Sequence, residues 1–145
     1  MTDPIRNVTT SDYEKFMELM GNFVDDQTRF GNYDNDSFHK VINSDNTYVY
    51  VYEDLGEIIG FIVFSIRSVI RYPRPIMEVE EIFVSQQRRR KGVGRSLIQK
   101  AIDIGRQKQC YYIFLASDKK RVQAHKFHQS LGFIEYGYHF RLLIS

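Results

Sequence analysis

The chain has 145 residues, of which 43% are hydrophobic and 26% charged, an ordinary composition for a single globular domain over residues 1–145. The net charge of +2 is too small to indicate nucleic-acid binding, and no apolar run approaches the ~20 residues that a membrane span needs. The single cysteine, Cys110, excludes an internal disulfide, and the first residues lack the apolar core of a signal peptide. We therefore expect a cytoplasmic protein that binds neither nucleic acid nor membranes.

The first third of the chain is predicted to form one strand and two helices. Residues 5–8 are predicted to form a short strand. Ser11 or Asp12 is expected to cap a first helix, whose apolar residues recur at helical spacing as far as Val24. The polar run 34–37 offers caps for a second helix that contains Phe38.

Three strands are predicted next. Residues 47–53 and 58–67 are rich in β-branched and aromatic residues, and a tight turn at 54–57 predicts that they form a hairpin. Two prolines, Pro73 and Pro75, interrupt the pattern, so a loop is expected before a third strand over 77–84.

The last part of the chain alternates helices and strands. A helix is predicted over 92–108, and the continuous apolar run 111–116 is typical of a central strand. A helix over 121–130 should end at Gly132, and residues 133–144 are expected to supply one or two closing strands, 133–138 and 139–144. The order of elements predicts an α/β fold with a mixed central sheet.

The segment between the third predicted strand and the next helix is the most informative one. The strand leads into four basic residues, Arg88 to Lys91, and the helix follows at once after Gly92 and Gly94. A helix N-terminus presents unpaired N–H groups and the positive end of the helix dipole, so it attracts phosphate. Glycines here allow the backbone to approach a ligand closely.

The string from Arg89 to Gly94 fits the pattern Arg/Gln-x-x-Gly-x-Gly/Ala. Together with the downstream pattern Ala124-x-x-Phe127-x-x-x-x-Gly132-Phe133 and the order of the elements, it resembles the GNAT superfamily of N-acetyltransferases over essentially the whole chain. The resemblance implies a single-domain fold with a mixed, mainly antiparallel central sheet flanked by helices.

Other interpretations of the basic loop remain. A Rossmann dinucleotide loop would need a third glycine where Leu97 stands, and a Walker loop would need Gly-Lys-Ser/Thr. A solvated basic loop or a nucleic-acid patch is the simpler alternative.

Acetyl-CoA is the co-substrate that the resemblance implies. In this family its pyrophosphate lies against the loop amides, and its pantetheine arm pairs with the preceding strand where that strand diverges from the next one. The residues expected to contact it are Ile82, Phe83, Val84, Arg89, Arg90, Lys91, Gly92, Val93, Gly94, Arg95 and Arg121.

Three carboxylates in the strand 77–84 are candidates for a general base. Glu78 and Glu80 occupy positions where family members often carry the base, and simple strand alternation places them on one face, with Glu81 on the other. A bulge near Ile82 would change which residues share a face. The carboxylates could instead bind a cationic substrate or pair with Arg67 or Arg71, and we expect Glu81 to be structural.

His128 stands where the family usually has the tyrosine that protonates the leaving thiolate. Either His128 takes that role, or no acid is needed because a thiolate is a good leaving group, or His128 is a half-exposed helix residue. Arg121 stands where the family often has asparagine and could meet a CoA phosphate. No metal-ligand spacing is evident, so no metal is expected.

The resemblance therefore implies an acyl-CoA-dependent N-acyltransferase that moves an acetyl group to the primary amine of a small molecule, loosely like bacterial aminoalkylphosphonate and aminoglycoside N-acetyltransferases. A protein or peptide N-acetyltransferase, and a non-catalytic acyl-CoA- or nucleic-acid-binding module, are the alternatives. Dimers are common among such proteins, so a homodimer is one expectation.

Overall fold

The computed structural model describes residues 3–21 and 34–144. The predicted end of the first helix, with Phe23, Val24 and the acidic pair Asp25 and Asp26, lies outside the described residues. The described helices and strands are β1 (Ile5–Asn7), α1 (Tyr13–Gly21), α2 (Asn35–Ile42), β2 (Thr47–Asp54), β3 (Glu57–Arg67), β4 (Ile76–Val84), α3 (Val93–Gln107), β5 (Ile113–Leu115) and α4 (Val122–Ser130).

The strands form one sheet in the order β1-β2-β3-β4-β5. Neighbours pair antiparallel except β4 and β5, which are parallel, so the predicted mixed, mainly antiparallel sheet is confirmed. The β2–β3 hairpin closes through Leu55 and Gly56, both with positive φ (52° and 79°), which is the backbone of a tight two-residue turn.

Helices cover both faces of the sheet. On one face, α3 packs its Leu97, Ile98 and Ala101 against strand residues that include Phe64 and Met77. On the other face, α1 and α2 contribute residues that pack on β2, β3 and β4; the fully or nearly fully buried members of that cluster are Phe16, Leu19, Phe38, Val49, Val51, Ile58, Phe61 and Phe83. Each buried apolar side chain of this size contributes about 1.5–3 kcal/mol, and together they fix β4 between two packed layers.

A β-bulge in β4 decides where the acidic side chains point. Phe64 pairs with Val79, but the next residue of β3, Val63, pairs with Glu81, so Glu80 is the extra residue. Because residues paired across strands share a face, Glu81 lies on the same face as Glu78, the face covered by α1 and α2. The expected alternation, with Glu78 and Glu80 opposite Glu81, is therefore wrong, and the bulge lies two residues before Ile82.

Two expectations for the last third of the chain are also wrong. The predicted central strand 111–116 is a three-residue strand, β5, that lies at the end of the described sheet. The predicted closing strands over 133–144 are absent from the described residues: the chain is irregular after α4, and residues 134–144 are exposed. Gly132 does end α4 with a positive φ of 98°, as predicted.

An ion-pair and capping network fixes the start of α1. Thr9, rather than Ser11 or Asp12, precedes the first helical turn, and its N–H donates to Asp12 Oδ2 at 2.7 Å. The Asp12 carboxylate also accepts two hydrogen bonds from the Arg6 guanidinium, at 2.8 and 3.0 Å. The Arg6 bonds hold the pKa of Asp12 below its usual value.

We expect Asp12→Asn to lower the free energy of unfolding by about 1–3 kcal/mol at pH 7, because a buried charged acceptor of several donors is lost. Because the pKa of Asp12 is lower in the folded protein than in the unfolded one, its ionised carboxylate stabilises the fold at pH values above the unfolded-state pKa. This contribution is lost as the pH falls through the folded-state pKa. Urea unfolding at pH 7 and at acidic pH should therefore show a difference between wild type and variant that shrinks in acid. The exposed Asp45→Asn is the control and should change stability by less than about 0.5 kcal/mol.

Candidate active site

The loop between β4 and α3 leads into the helix start at which phosphate binding is predicted. Gly92 precedes α3 with φ of +83°, and the first helical hydrogen bond runs from the Ser96 N–H to the Gly92 carbonyl at 3.0 Å. The N–H groups of Val93, Gly94 and Arg95 precede that bond and have no acceptor within the helix. A Cβ on Gly94 would lie 3.3 Å from Cζ of Phe127, so glycine allows α4 to pack against the helix start.

The basic residues of this loop divide into two kinds. Arg88 donates to Asp54 Oδ2 at 2.6 Å and anchors the loop to the end of β2. Arg89 donates to the Val84 carbonyl at 3.0 Å, and its guanidinium lies 5.5 Å from the centre of the Phe83 ring. The other three cations, Arg90, Lys91 and Arg95, are exposed around the helix start. The loop is thus a folded structure with free cations at the N-terminus of α3, as a phosphate site requires.

The strands β4 and β5 diverge beside this loop. Their pairing covers Met77–Val79 on β4 and ends at Leu115 on β5, so in the described part of the chain it stops before Glu80. The predicted divergence is confirmed. It opens a groove of about 200 Å³, whose lining residues are Val79, Glu80, Glu81, Ile82, Leu115, Ala116, Ser117, Asp118, Arg121 and His128.

Two glutamates, Glu80 and Glu81, line the groove. Desolvation raises the pKa of the Glu81 carboxyl, although part of the residue is open to solvent; the Arg121 cation opposes that rise and the neighbouring Glu80 adds to it. A carboxyl with a raised pKa is a better proton acceptor near neutral pH. Glu78 is not among the lining residues, and its Oε1 accepts from Arg67 Nη1 at 3.1 Å. The groove therefore brings Glu80 and Glu81 together and leaves Glu78 in an ion pair.

Two buried polar atoms at the groove have no hydrogen-bond partner among residues 3–21 and 34–144: Nδ1 of His128 and Oγ of Ser117. His128 is only 9% exposed, lying between the rings of Phe127 and Phe133. Desolvation lowers the pKa of the imidazole, and Arg121 and His125 lower it further, so His128 is neutral at pH 7. Buried polar atoms are nearly always paired, and two orphans at one groove indicate a place for a ligand.

Two further polar residues lie at α4. Arg121, predicted to meet a CoA phosphate, lies at the start of α4 and lines the groove. His125 contacts the Asp118 carbonyl through Nε2 at 2.8 Å and so joins α4 to the loop after β5. Sequence reasoning missed Ser117 altogether and assigned Glu81 a structural role. A serine after an apolar strand carries no signal of its own, and the position of Glu81 depends on the bulge.

The described chain thus has a sheet that opens between two parallel strands, beside a basic helix start and a groove lined by two glutamates. The sequence matches the acetyltransferase (GNAT) family over residues 9–133, and the chain belongs to that family.

Two relatives are similar in sequence. The glucosamine 6-phosphate N-acetyltransferase of Trypanosoma brucei brucei is 31% identical over 88 residues, which are 60% of this chain and 58% of that protein. An uncharacterized N-acetyltransferase of Methanocaldococcus jannaschii is 28% identical over 142 residues, 92% of this chain and 62% of that protein. The chain therefore spans about three fifths of the length of these relatives.

Solved structures share the fold. A Bacillus halodurans protein described as a transcriptional regulator has a TM-score of 0.87 at 22% identity, with 97% of this chain and 98% of that chain covered. An aminoglycoside acetyltransferase from an uncultured soil metagenomic sample, in complex with sisomicin, has a TM-score of 0.80 at 22% identity (97% and 95% covered). An aminoglycoside N-acetyltransferase in complex with CoA has a TM-score of 0.78 at 24% identity (97% and 98% covered). In the part of the chain that the structure describes, no helix is both long enough and apolar enough to cross a membrane.

Proposed function

We propose that this protein transfers an acetyl group from acetyl-CoA to the primary amine of a small molecule, by direct attack of the amine. The observation that carries the proposal is the groove between β4 and β5, where Glu80, Glu81, Ser117 and His128 meet beside the helix start of α3. Membership of the GNAT family supports acetyl-CoA as the donor.

The residues around the groove fit acetyl-CoA, which supplies the activated acetyl thioester when bound. The N–H groups at the start of α3 and the cations Arg90, Lys91 and Arg95 suit the pyrophosphate. The part of β4 that follows its pairing with β5, from Ile82 to Val84, suits the amide-bearing pantetheine arm, which can align along the strand as an added strand would. Arg121 adds a cation at the other wall of the groove.

The Glu80 and Glu81 pair removes the proton of the attacking amine. An ammonium has no free electron pair, so attack requires a base that holds the amine in its neutral form. The neighbouring Glu80 adds to the raised pKa of Glu81, and so the Glu81 carboxyl is favoured to take up a proton. Glu78, paired with Arg67, serves to fix β4.

His128 and Ser117 act as hydrogen-bond partners in the groove. Because His128 is neutral at pH 7, it has one ring N–H to donate and one nitrogen to accept, and it is a poor source of a full proton. We assign it a stabilising hydrogen bond near the leaving sulfur, in place of proton transfer from an imidazolium. The Ser117 hydroxyl, also unpaired, can bond to the donor or the acceptor molecule.

Small-molecule amines on sugars are the acceptor class to examine first. A relative at 31% identity is a glucosamine 6-phosphate N-acetyltransferase. The decisive experiment measures thiol release from acetyl-CoA with a panel of aminosugars, aminosugar phosphates, aminoglycosides, aminophosphonates, polyamines and lysine peptides. We expect turnover with a small amine above that with any peptide. Preferential turnover of peptides would replace this proposal with peptide acetylation, and a lack of both turnover and acetyl-CoA binding would end the enzymatic interpretation.

Removing the unpaired groups should separate activity from stability. We expect Ser117→Ala and His128→Phe each to lower kcat/KM about tenfold, which corresponds to one lost hydrogen bond of ~1.4 kcal/mol. Neither should lower the free energy of unfolding by more than about 0.5 kcal/mol, since each removes a buried polar atom without a partner. Thiol-release kinetics measure the change in kcat/KM, and urea unfolding of the same samples measures the free energy of unfolding. A loss of stability together with unchanged kinetics would mean that these groups are structural.

A further inference from the structure

The tip of the β2–β3 hairpin lies beside the β4–α3 loop, residues 85–92. Val84, the last residue of β4, pairs with Gly60, so β3 extends beyond the end of β4. The loop begins with a hydrogen bond from the Ser85 N–H to the Ile59 carbonyl at 2.8 Å. At its other end, a Cβ on Gly60 would lie 3.3 Å from Cγ1 of Val93, so α3 starts close against β3. The hairpin thus holds both ends of the loop.

The middle of the β4–α3 loop has a backbone that its neighbours must hold in place. Arg90 has a φ of +66°, in the left-handed region that is unfavourable for a residue with a side chain. Such residues persist where the surrounding structure fixes the chain around them. The two preceding arginines supply contacts of this kind, since Arg89 donates to the Val84 carbonyl and Arg88 donates to the Asp54 carboxylate.

The bond between Arg88 and Asp54 ties the middle of the loop to the hairpin. Arg88 Nη1 lies 2.6 Å from Asp54 Oδ2, and only 32% and 39% of the two side chains are exposed. Asp54 is the last residue of β2, a strand that is separated from β4 by β3. A charge-assisted hydrogen bond of this length is directional and strong. It therefore turns Arg88 toward the hairpin and fixes the loop just before Arg90.

We propose that Asp54 is a positioning residue for acetyl-CoA, which acts through Arg88 without touching the co-substrate. The proposal rests on the proposed function, because it assumes that the pyrophosphate lies at the start of α3. Arg88 is then a structural link, and the phosphates are left to the backbone N–H groups and to Arg90, Lys91 and Arg95. A loop that is already held in its binding geometry loses less conformational freedom when the ligand binds.

Simple electrostatics predicts the opposite effect of Asp54. Its carboxylate places a negative charge near a site for a negatively charged ligand, so its removal should tighten binding. Removal would also free Arg88 to contact a phosphate directly. The positioning role predicts weaker binding after the same substitution. The sign of the change in affinity therefore distinguishes the two roles.

Calorimetry with acetyl-CoA measures this sign. We expect Asp54→Asn, Arg88→Gln and the double variant each to raise the Kd and the KM for acetyl-CoA by about three- to tenfold, because all three break the same bond. The kcat at saturating acetyl-CoA should stay within about twofold of wild type, since the groove residues are unchanged. A loss of folded protein alone would lower the apparent kcat and leave the KM unchanged.

Glu53→Gln is the matched control for Asp54→Asn. Glu53 directly precedes Asp54, its side chain is 36% exposed against 39%, and it pairs with Arg6 of β1, away from the loop. Glu53→Gln should leave the affinity for acetyl-CoA unchanged. An Asp54→Asn protein that binds acetyl-CoA as tightly as wild type, or more tightly, overturns the proposal, and so does an equal loss of affinity in Glu53→Gln. A wild type that does not bind acetyl-CoA ends the proposed function and this proposal with it.

Hydrogen–deuterium exchange of the ligand-free protein tests the positioning without any ligand. We expect peptides that cover residues 85–92 to exchange at least about threefold faster in Asp54→Asn and Arg88→Gln than in wild type, because the middle of the loop has lost its link to the hairpin. Glu53→Gln should show no change in these peptides. Unchanged exchange of the loop in Asp54→Asn would show that the ion pair does not hold it, and would overturn the proposal.

Discussion

Glu80→Gln and Glu81→Gln should each lower kcat/KM for the amine by about 10²–10⁴-fold, the range expected for loss of a general base. Both carboxylates line the groove, and each substitution keeps the size and polarity of the side chain while removing its ability to take up a proton. The double variant should be little worse than the poorer single one, because groups that act as a unit are not additive. Steady-state thiol release with the best amine measures all three.

Glu78→Gln is the matched control, since it makes the same change on the same strand outside the groove lining. Glu78→Gln should lower kcat/KM only slightly, because Glu78 has no part in the proposed chemistry. Its effect on stability should also be small, since a half-exposed ion pair such as Glu78–Arg67 contributes about 0–1 kcal/mol. If Glu78→Gln lowers kcat/KM as much as the groove variants do, or more, then Glu78 is the general base, at one of the two positions that the family resemblance implies.

The pH profile distinguishes the roles of the two groove glutamates. Activity should rise with pH as Glu81 loses its proton, because only the deprotonated form accepts a proton from the ammonium. Glu80 raises the pKa of Glu81, and so Glu80→Gln should move the acidic limb of the residual kcat/KM toward lower pH. An unchanged acidic limb would show that the charge of Glu80 does not raise the pKa of the base.

Gly92→Ala should raise the KM for acetyl-CoA at least tenfold. Gly92 has φ of +83° directly before α3, and an added Cβ would project into the open space before the helix start, where the pyrophosphate is proposed to lie. The substitution also strains the backbone by about 1 kcal/mol, so a loss of stability alone is not informative.

Gly56→Ala is the control for the loss of stability. Gly56 has nearly the same φ, +79°, and open space around it, but it lies in the β2–β3 turn. We expect both variants to lose similar stability and only Gly92→Ala to bind acetyl-CoA poorly, as measured by calorimetry and by KM. Equal and unchanged affinity in both variants would show that the pyrophosphate does not lie at this helix start.

The parts of the fold that local patterns determine could be predicted from the sequence. The hairpin, the interrupted β3–β4 connection and the inward positions Leu97 and Ala101 of α3 follow from periodicity and turn residues, and the structure confirms them. The pairing of strands needs more than local pattern. An apolar run such as 111–116 has the same composition in the centre of a sheet and at its edge, and so β5 was placed wrongly.

The candidate site depends on one irregularity that composition does not encode. A bulge at Glu80 inserts one residue into β4 and so reverses the expected relation of Glu81 to Glu78. The loop pattern from Arg89 to Gly94 could be read directly, because glycine at a positive φ is a local requirement. That Ser117 Oγ and His128 Nδ1 are buried without a hydrogen-bond partner among the described residues can be recognised only once the fold around them is known.

The most direct test of the proposed activity is mass spectrometry of the acceptor after reaction with acetyl-CoA. Purified protein is incubated with acetyl-CoA and the aminosugar panel, beside the Glu80→Gln/Glu81→Gln protein as a folded control. We predict one acetyl group on the amine nitrogen of a small-molecule acceptor, one thiol released for each acetylated product, and almost none of either with the double variant. Equal product with the double variant, or thiol release without any acetylated small amine, would contradict acetyl transfer in this groove.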